Sequence, residues 1–522
     1  MNLVSERRDS QRFAVVFATI ALALVSLSVF AARAHSAELI YWNNYGSTPQ
    51  SISVANIDGS GGGALNLTGA TLDDPEGMAI DTVTGRLYVA SSSGGPAGTG
   101  EILYVNLDGS GAGVFTAPGA LVDEPFGVVL DPGSRTIYWA NDSKGTGNGS
   151  IAWAKLDGSA GGLLNTAGAT IIDPYKIGLD PVNGRVYWGN NPVGEDISIG
   201  YANANNTGGG GTLSLSKAPE NIWGFAVDPA AGRLYWSEGS LDQFAYSGLL
   251  GGTVNVLDTS GAVVDDSYGF AVDPAASKIY WPNYSNGDER TNGLGFALLS
   301  GGGGGNISPS TAPFDGPQDL LVLKSPSATG APAITRDPKN RNILSCSSGS
   351  WAADFAGSFV YQAPTTYAYQ WARNGTPIGG ATAAAFTAES PGEYACSVTG
   401  ANQAGSAIQT AAISVKASKI KLTTKKKAKA DAGDRVTFKV KAVNQGDLKP
   451  KKNAKLCVKL PKAAKDDLKA PKCKKLGLKG GAKKTLTLKV KVKPAADEGT
   501  DKLTFQVKGS AGKAAKSKIV VR

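Results

Sequence analysis

A single histidine stands among 522 residues, and its place rules out much chemistry. His35 lies where an export signal would be cut, so the mature chain keeps no imidazole, or one at its extreme end. That excludes Ser-His-Asp triads, Cys-His pairs and histidine-held metal centres together. Cysteine is almost as scarce: Cys346, Cys396, Cys457 and Cys473. None follows closely on the N-terminal apolar run, which excludes a lipid-modified cysteine anchor there. Charged residues make up only 18% of the chain. Long apolar runs are missing too. Only residues 13–32 reach the ~20 residues that a membrane span needs, so the mature chain is expected to carry no transmembrane anchor.

The first 37 residues read as a secretory signal peptide. Arg7, Arg8 and Arg12 precede the apolar run, and Ala32-Arg33-Ala34 or His35-Ser36-Ala37 offers small residues at a cleavage site. The expected destination is secreted or extracellular, with possible association to the cell envelope. In that compartment two disulfides are the default for four cysteines. The net charge of +9 hides a strong asymmetry. Residues 38–324 hold 11 basic and 29 acidic side chains, a net of −18. Residues 325–417 are nearly neutral, at +1, and residues 418–522 carry +24. Such a dipole speaks to partners, not to fold.

Repeats set the architecture. An aromatic pair recurs at Tyr41-Trp42, Tyr138-Trp139, Tyr187-Trp188, Tyr235-Trp236 and Tyr280-Trp281, with Tyr88-Val89 in the remaining place, at spacings of 45 to 50 residues. Ahead of five of these lies an apolar run ending in aspartate: Asp81, Asp131, Asp180, Asp228 and Asp273. A last copy of that run, residues 320–323, has no aromatic pair after it. Behind the pairs come Asp58-Gly59, Asp108-Gly109 and Asp157-Gly158. Short β-branched and aromatic segments bounded by Gly, Pro, Asn and Asp are strands joined by turns. About four strands per repeat make a propeller blade. The chain begins at the second strand of a blade and ends this region with a first strand, so residues 320–323 can complete the blade begun by residues 40–44. A six-bladed ring then closes without a free edge.

The pattern P-x-G-φ-A-φ-D-P-x-x-G-x-φ-Y-W followed by A-N-φ-D-G resembles the YWTD propeller repeats, the class B repeats of lipoprotein-receptor proteins, over residues 38–324. The Thr-Asp positions depart from that family: Asn43-Asn44, Ala90-Ser91, Ala140-Asn141, Gly189-Asn190, Ser237-Glu238 and Pro282-Asn283. The blade tie that the family's aspartate makes must here fall to Asn, Ser or Glu, or be absent.

After a linker at 325–332, residues 333–417 present a Cys346, Trp371, Cys396 frame with Tyr394 two before the second cysteine. This resembles an immunoglobulin-like domain of secreted actinobacterial proteins, with a tyrosine corner. The resemblance implies a Cys346–Cys396 bridge, worth roughly 4 kcal/mol on the chain-entropy estimate. Residues 418–522 alternate lysine with apolar residues and resemble a bacterial surface β-sandwich, on Gly433, Val436, Phe438, Val440, Val443, Asn444 and Gly446. Cys457 and Cys473 are expected to bridge a short loop there. The fold class is therefore all-β: a six-bladed propeller and two β-sandwiches.

For chemistry, the Asp-Gly pairs read as tight turns before they read as calcium ligands, since Gly takes φ > 0 there. No metal and no cofactor is implied. The informative position precedes the apolar run of each repeat: Glu76, Phe126, Tyr175, Trp223, Tyr268 and Gln318. Lys176 stands beside it where other copies have glycine. Carboxylates surround it at Asp73, Asp74, Asp123, Glu124, Asp173, Asp265, Asp266 and Asp315. In the YWTD resemblance this position faces a ligand-gripping surface. An aromatic rim with carboxylates suits an extracellular peptide, protein or glycan; the alternative is that the rings only plug the axial channel. The lysine-rich tail suits anionic cell-envelope polymers, with a purely solvated face as the alternative. No nucleic-acid partner is expected, because its aromatics, Phe438 and Phe505, fall on the apolar phase. Two function classes follow: a non-enzymatic binding or adhesion protein, and a propeller hydrolase or lyase using carboxylates or a bound metal.

Overall fold

The computed structural model describes residues 38–95, 99–142, 149–192, 197–284 and 293–522. The expected signal peptide, 1–37, lies outside the described residues. Among the described residues no helix is long and apolar enough to cross a membrane.

Six antiparallel sheets form the propeller. The first blade runs from its inner strand Pro75–Asp81 through Arg86–Ser91 and Glu101–Asn106 to Ala112–Phe115 at the outside. Four more follow, with inner strands or strand starts at Pro125–Asp131, Pro174–Asp180, Ile222–Asp228 and Ala271–Asp273. The sixth takes its inner strand, Leu320–Lys324, from the end of the region and pairs it with the first strand, Glu38–Asn44. Each inner strand contacts the next, and the last contacts the first, so the ring is closed. Trp42, Trp139, Trp188, Trp236 and Trp281 are buried between the sheets.

The recurring polar residues hold the ring together. Two residues after the tryptophan of the aromatic pair, asparagine offers both an acceptor and a donor. Asn141 accepts the Asp123 N–H (3.1 Å) and donates to the Leu121 carbonyl; Asn190 does the same with Ile172 and Thr170. The neighbouring Trp139 and Trp188 indoles donate to those same carbonyls. Asn43 ties the sixth blade to the first. It donates to the Pro75 and Glu76 carbonyls and accepts from Gln318 and Asp319. At the other face, Asp81 pairs with Arg135 of the next blade, and Asp273 with Lys324, 2.7 Å apart. Asp58, Asp108 and Asp157 each cap the N–H of a serine two residues on, with Gly59, Gly109 and Gly158 at positive φ: these are turns.

Residues 333–417 close over Trp371, fully buried beside the Cys346–Cys396 disulfide, and the Tyr394 hydroxyl donates to the Ser390 carbonyl. Residues 325–332 are more than the linker expected, since Ala328–Gly330 pairs with Ser350–Trp351. The tail is two five-stranded sheets around Phe438 and Phe505, with the Cys457–Cys473 disulfide. Asp447 joins it to the preceding segment through the Lys416 N–H and the Arg341 Nε, at 2.9 and 2.8 Å.

One connection was not legible beforehand. Between Trp351 and Thr366 the chain leaves its own sandwich and enters the ring from the face where the inner strands end. Phe355, Ala356, Phe359, Val360 and Tyr361 join the propeller core. Val360–Tyr361 pairs in parallel with Leu320–Lys324, and the Ser358 hydroxyl donates to the Val227 carbonyl at 2.5 Å. The axis is therefore closed from this base by a hairpin of the next segment.

Candidate functional site

The opposite face, where the inner strands begin, carries the sequence candidates. Each connector enters its inner strand through a left-handed residue: Asp74, Glu124, Asp173, Asn221, Asp266 and Gly316, with φ between 44 and 54°. Asp, Asn and Gly tolerate this conformation best. Part of the expected carboxylate ring thus has a backbone reason as well as an electrostatic one.

Phe126, Tyr175, Trp223 and Tyr268 stand on blades two to five and are half-buried. They pair across blades. Phe126 and Tyr175 lie 4.4 Å apart; Trp223 and Tyr268 stack at 4.6 Å with their planes 4° apart, and Tyr284 meets Tyr268 edge-on. Glu76 and Gln318, on blades one and six, are not rim groups as expected: they are only 4% and 6% exposed and belong to the floor. Lys176 corrects in the same way, at 4%. The mouth is thus aromatic on one side and polar on the other.

The next residue inward is glycine in four blades, because the inner strands converge. A Cβ on Gly77 would sit 2.6 Å from the Phe126 carbonyl oxygen, and one on Gly127 2.7 Å from the Ile177 nitrogen. The exceptions are Lys176 on blade three and Asp319 on blade six, which face each other across the ring. Sequence reading singled out Lys176 and missed Asp319, although the same departure from glycine marks it. Asp319 accepts the Met78 N–H at 2.7 Å. Burial pushes its carboxyl up to about 6, opposed by the Lys176 ammonium. Burial pushes Glu76 further, to about 8, again against Lys176 and reinforced by Asp74, Asp319 and Glu124. The Lys176 ammonium lies 5.6 Å from the Tyr175 ring centroid. Among the described residues Lys176 Nζ, Glu76 Oε2 and Gln318 Oε1 are buried without a hydrogen-bond partner. Beneath them a cavity of about 10 Å³, floored by Phe359, has room for no more than about one water.

On the rim, carboxylate oxygens of Asp242, Asp265 and Asp266 lie within 4.8 Å of one another. Burial, then the charges of Asp242 and Asp265, raises the Asp266 carboxyl.

No family model and no curated protein matches the chain. Solved structures do. A chain of a nidogen/laminin complex is 16% identical over 55% of this chain and 97% of its own, with a TM-score of 0.42. TolB from Acinetobacter baumannii is 14% identical over 55% and 66%, with a TM-score of 0.41. A protein from Lactobacillus plantarum is 17% identical over 55% and 99%, at 0.38. The likeness is one of β-propeller fold.

Proposed function

We propose that this is an exported binding protein whose rim face captures an extracellular peptide, protein or glycan, while its lysine-rich sandwich associates with anionic envelope polymers. One observation carries the reading: two paired sets of half-buried aromatics stand over buried polar groups that have no partner among the described residues. An unsatisfied buried donor or acceptor costs about 1–3 kcal/mol, more when charged. A ligand that accepts from Lys176, donates to Gln318 and lays an apolar face on Trp223 or Tyr175 would relieve that cost. In the tail, Arg435, Lys439, Lys441 and Lys489 are exposed on adjacent strands of one sheet face, with Lys491 half-exposed among them.

The test is a peptide and glycan array probed with the full chain, followed by the double variant Trp223→Ala, Tyr268→Ala. Losing a stacked aromatic pair should weaken capture by about 1–3 kcal/mol, roughly fivefold to 160-fold, with folding unchanged. A ligand that binds the double variant as tightly as the parent would move the site elsewhere.

A further inference from the structure

The immunoglobulin-like segment ends in a strand unlike any other among the described residues. Gly405–Val415 is 11 residues long, lies at the edge of its sheet and, among the described residues, pairs only with Gly392–Asn402. Apart from the inner propeller strands, which face the axis, the next longest edge strand among the described residues, Gly251–Val256, has 6 residues. Exposed edges are usually blunted by lysine, proline, a bulge or shortness. Gly405–Val415 has none of these. It contains no charged residue and no proline, and its register with its neighbour is unbroken.

The register also says which groups are free. Asn402 opposite Gly405 closes a two-residue turn, so the odd-numbered residues share the ladder with Gly392–Asn402. The even-numbered ones turn N–H and C=O outward. Of these, the Ser414 carbonyl accepts from Arg336 at 2.6 Å, which confirms the direction. Among the described residues no backbone partner meets Ser406, Ile408, Thr410 or Ala412 on that side. Their side chains are exposed, Ile408 by 67%.

We propose that this edge pairs antiparallel with the same edge of a second copy, making a two-fold dimer. The choice of partner rests on charge. The Gly405 end abuts the propeller: the Ser325 hydroxyl donates to the Ala404 carbonyl, and Asn402 donates to the Lys324 carbonyl. The Val415 end leads through Lys416 into the tail. Antiparallel pairing therefore sets the propeller of one copy, at −18, beside the tail of the other, at +24. Parallel pairing would set like beside like. The two strongly charged parts repel their own kind, and the near-neutral middle, at +1, is where copies can meet. The register that uses every free residue and leaves Ser414 to Arg336 is centred on Gln409. It puts Ile408 opposite Thr410 and Ser406 opposite Ala412, for about eight hydrogen bonds across the two-fold.

Sedimentation equilibrium of the full chain tests this. A dimer is expected that weakens as salt rises and the Debye length shrinks from about 10 Å at 0.1 M toward 3 Å at 1 M. Ile408→Lys should be monomeric with an unchanged melting temperature, since the side chain is exposed. A positional test accompanies it. All native cysteines are bridged, so an added thiol is the sole free one. An equimolar mixture of Ile408→Cys and Thr410→Cys chains should form an intermolecular disulfide on mild oxidation, at the ~5.5 Å Cα spacing of a hydrogen-bonded pair. Neither variant alone should do so. A wild-type monomer, a dimer indifferent to Ile408→Lys, or cross-linking of either single variant overturns the proposal. Amide protection at residues 406–412 brought by an added strand-forming peptide, in a monomer, would assign the edge to a foreign strand instead.

Discussion

The hairpin that enters the propeller base offers a sharp test of how the two parts depend on each other. At its tip Gly357 lies against the carbonyl oxygens of Leu179 and Val227, leaving no room for a Cβ. Its φ is not left-handed, so Gly357→Ala adds collision without backbone strain. The docked side chains of Phe359, Val360 and Tyr361 are at most 5% exposed. At about 1.5–3 kcal/mol per large apolar side chain the burial of these three is worth about 4.5–9 kcal/mol, an upper bound because a free hairpin already hides some of that surface. Overpacking of this kind costs about 1–3 kcal/mol as the hairpin backs out. At about 2–4 °C per kcal/mol for parts of this size, the propeller should melt about 2–12 °C lower. Scanning calorimetry should also show the wild type's joint transition split, with the disulfide-bridged sandwich melting separately. Gly379→Ala is the control, since a Cβ there meets nothing within 4 Å. If Gly357→Ala melts like Gly379→Ala, the hairpin is not what couples the two parts.

Two further outcomes follow. Burial raises the Glu76 carboxyl from 4.5 to about 8, so the folded state holds the extra proton in that window and stability falls as pH rises through it; Glu76→Gln should flatten this dependence in denaturant titrations across pH 4.5 to 8, and an unchanged slope would refute the assignment. Retention of the full chain on purified envelopes should weaken steeply between 0.1 and 1 M salt, as screening contracts to about 3 Å. It should also fall in Lys439→Glu, Lys441→Glu, Lys489→Glu, whereas retention indifferent to both would make the lysines a solvated face.

Much of the ring was legible because its signals are local. Asp-Gly turns, the aspartate that caps each strand end and the Tyr-Trp pairs act over a few residues, and their phase from residue 40 to residue 323 implied closure. The asparagines two residues after the tryptophans stood out in sequence as departures from the YWTD pattern the repeats resemble. That Asn141 and Asn190 serve as both donor and acceptor follows from where the connectors run, which a linear pattern does not contain.

The sequence by itself determined the all-β class, the six-fold repeat, the disulfide frames and the separation of charge, since period, turn chemistry and composition are properties of neighbours along the chain. Only the tertiary structure decided that Glu76, Lys176 and Gln318 are a floor and not a rim, that Lys176 faces Asp319 from 143 positions away in sequence, and that residues 355–361 close the axis. Those facts depend on how tightly six inner strands converge. Convergence is set by ring closure as a whole: glycine where backbones touch, a long or charged side chain where the gap across the axis admits one, and a hairpin where the base leaves a mouth of its shape.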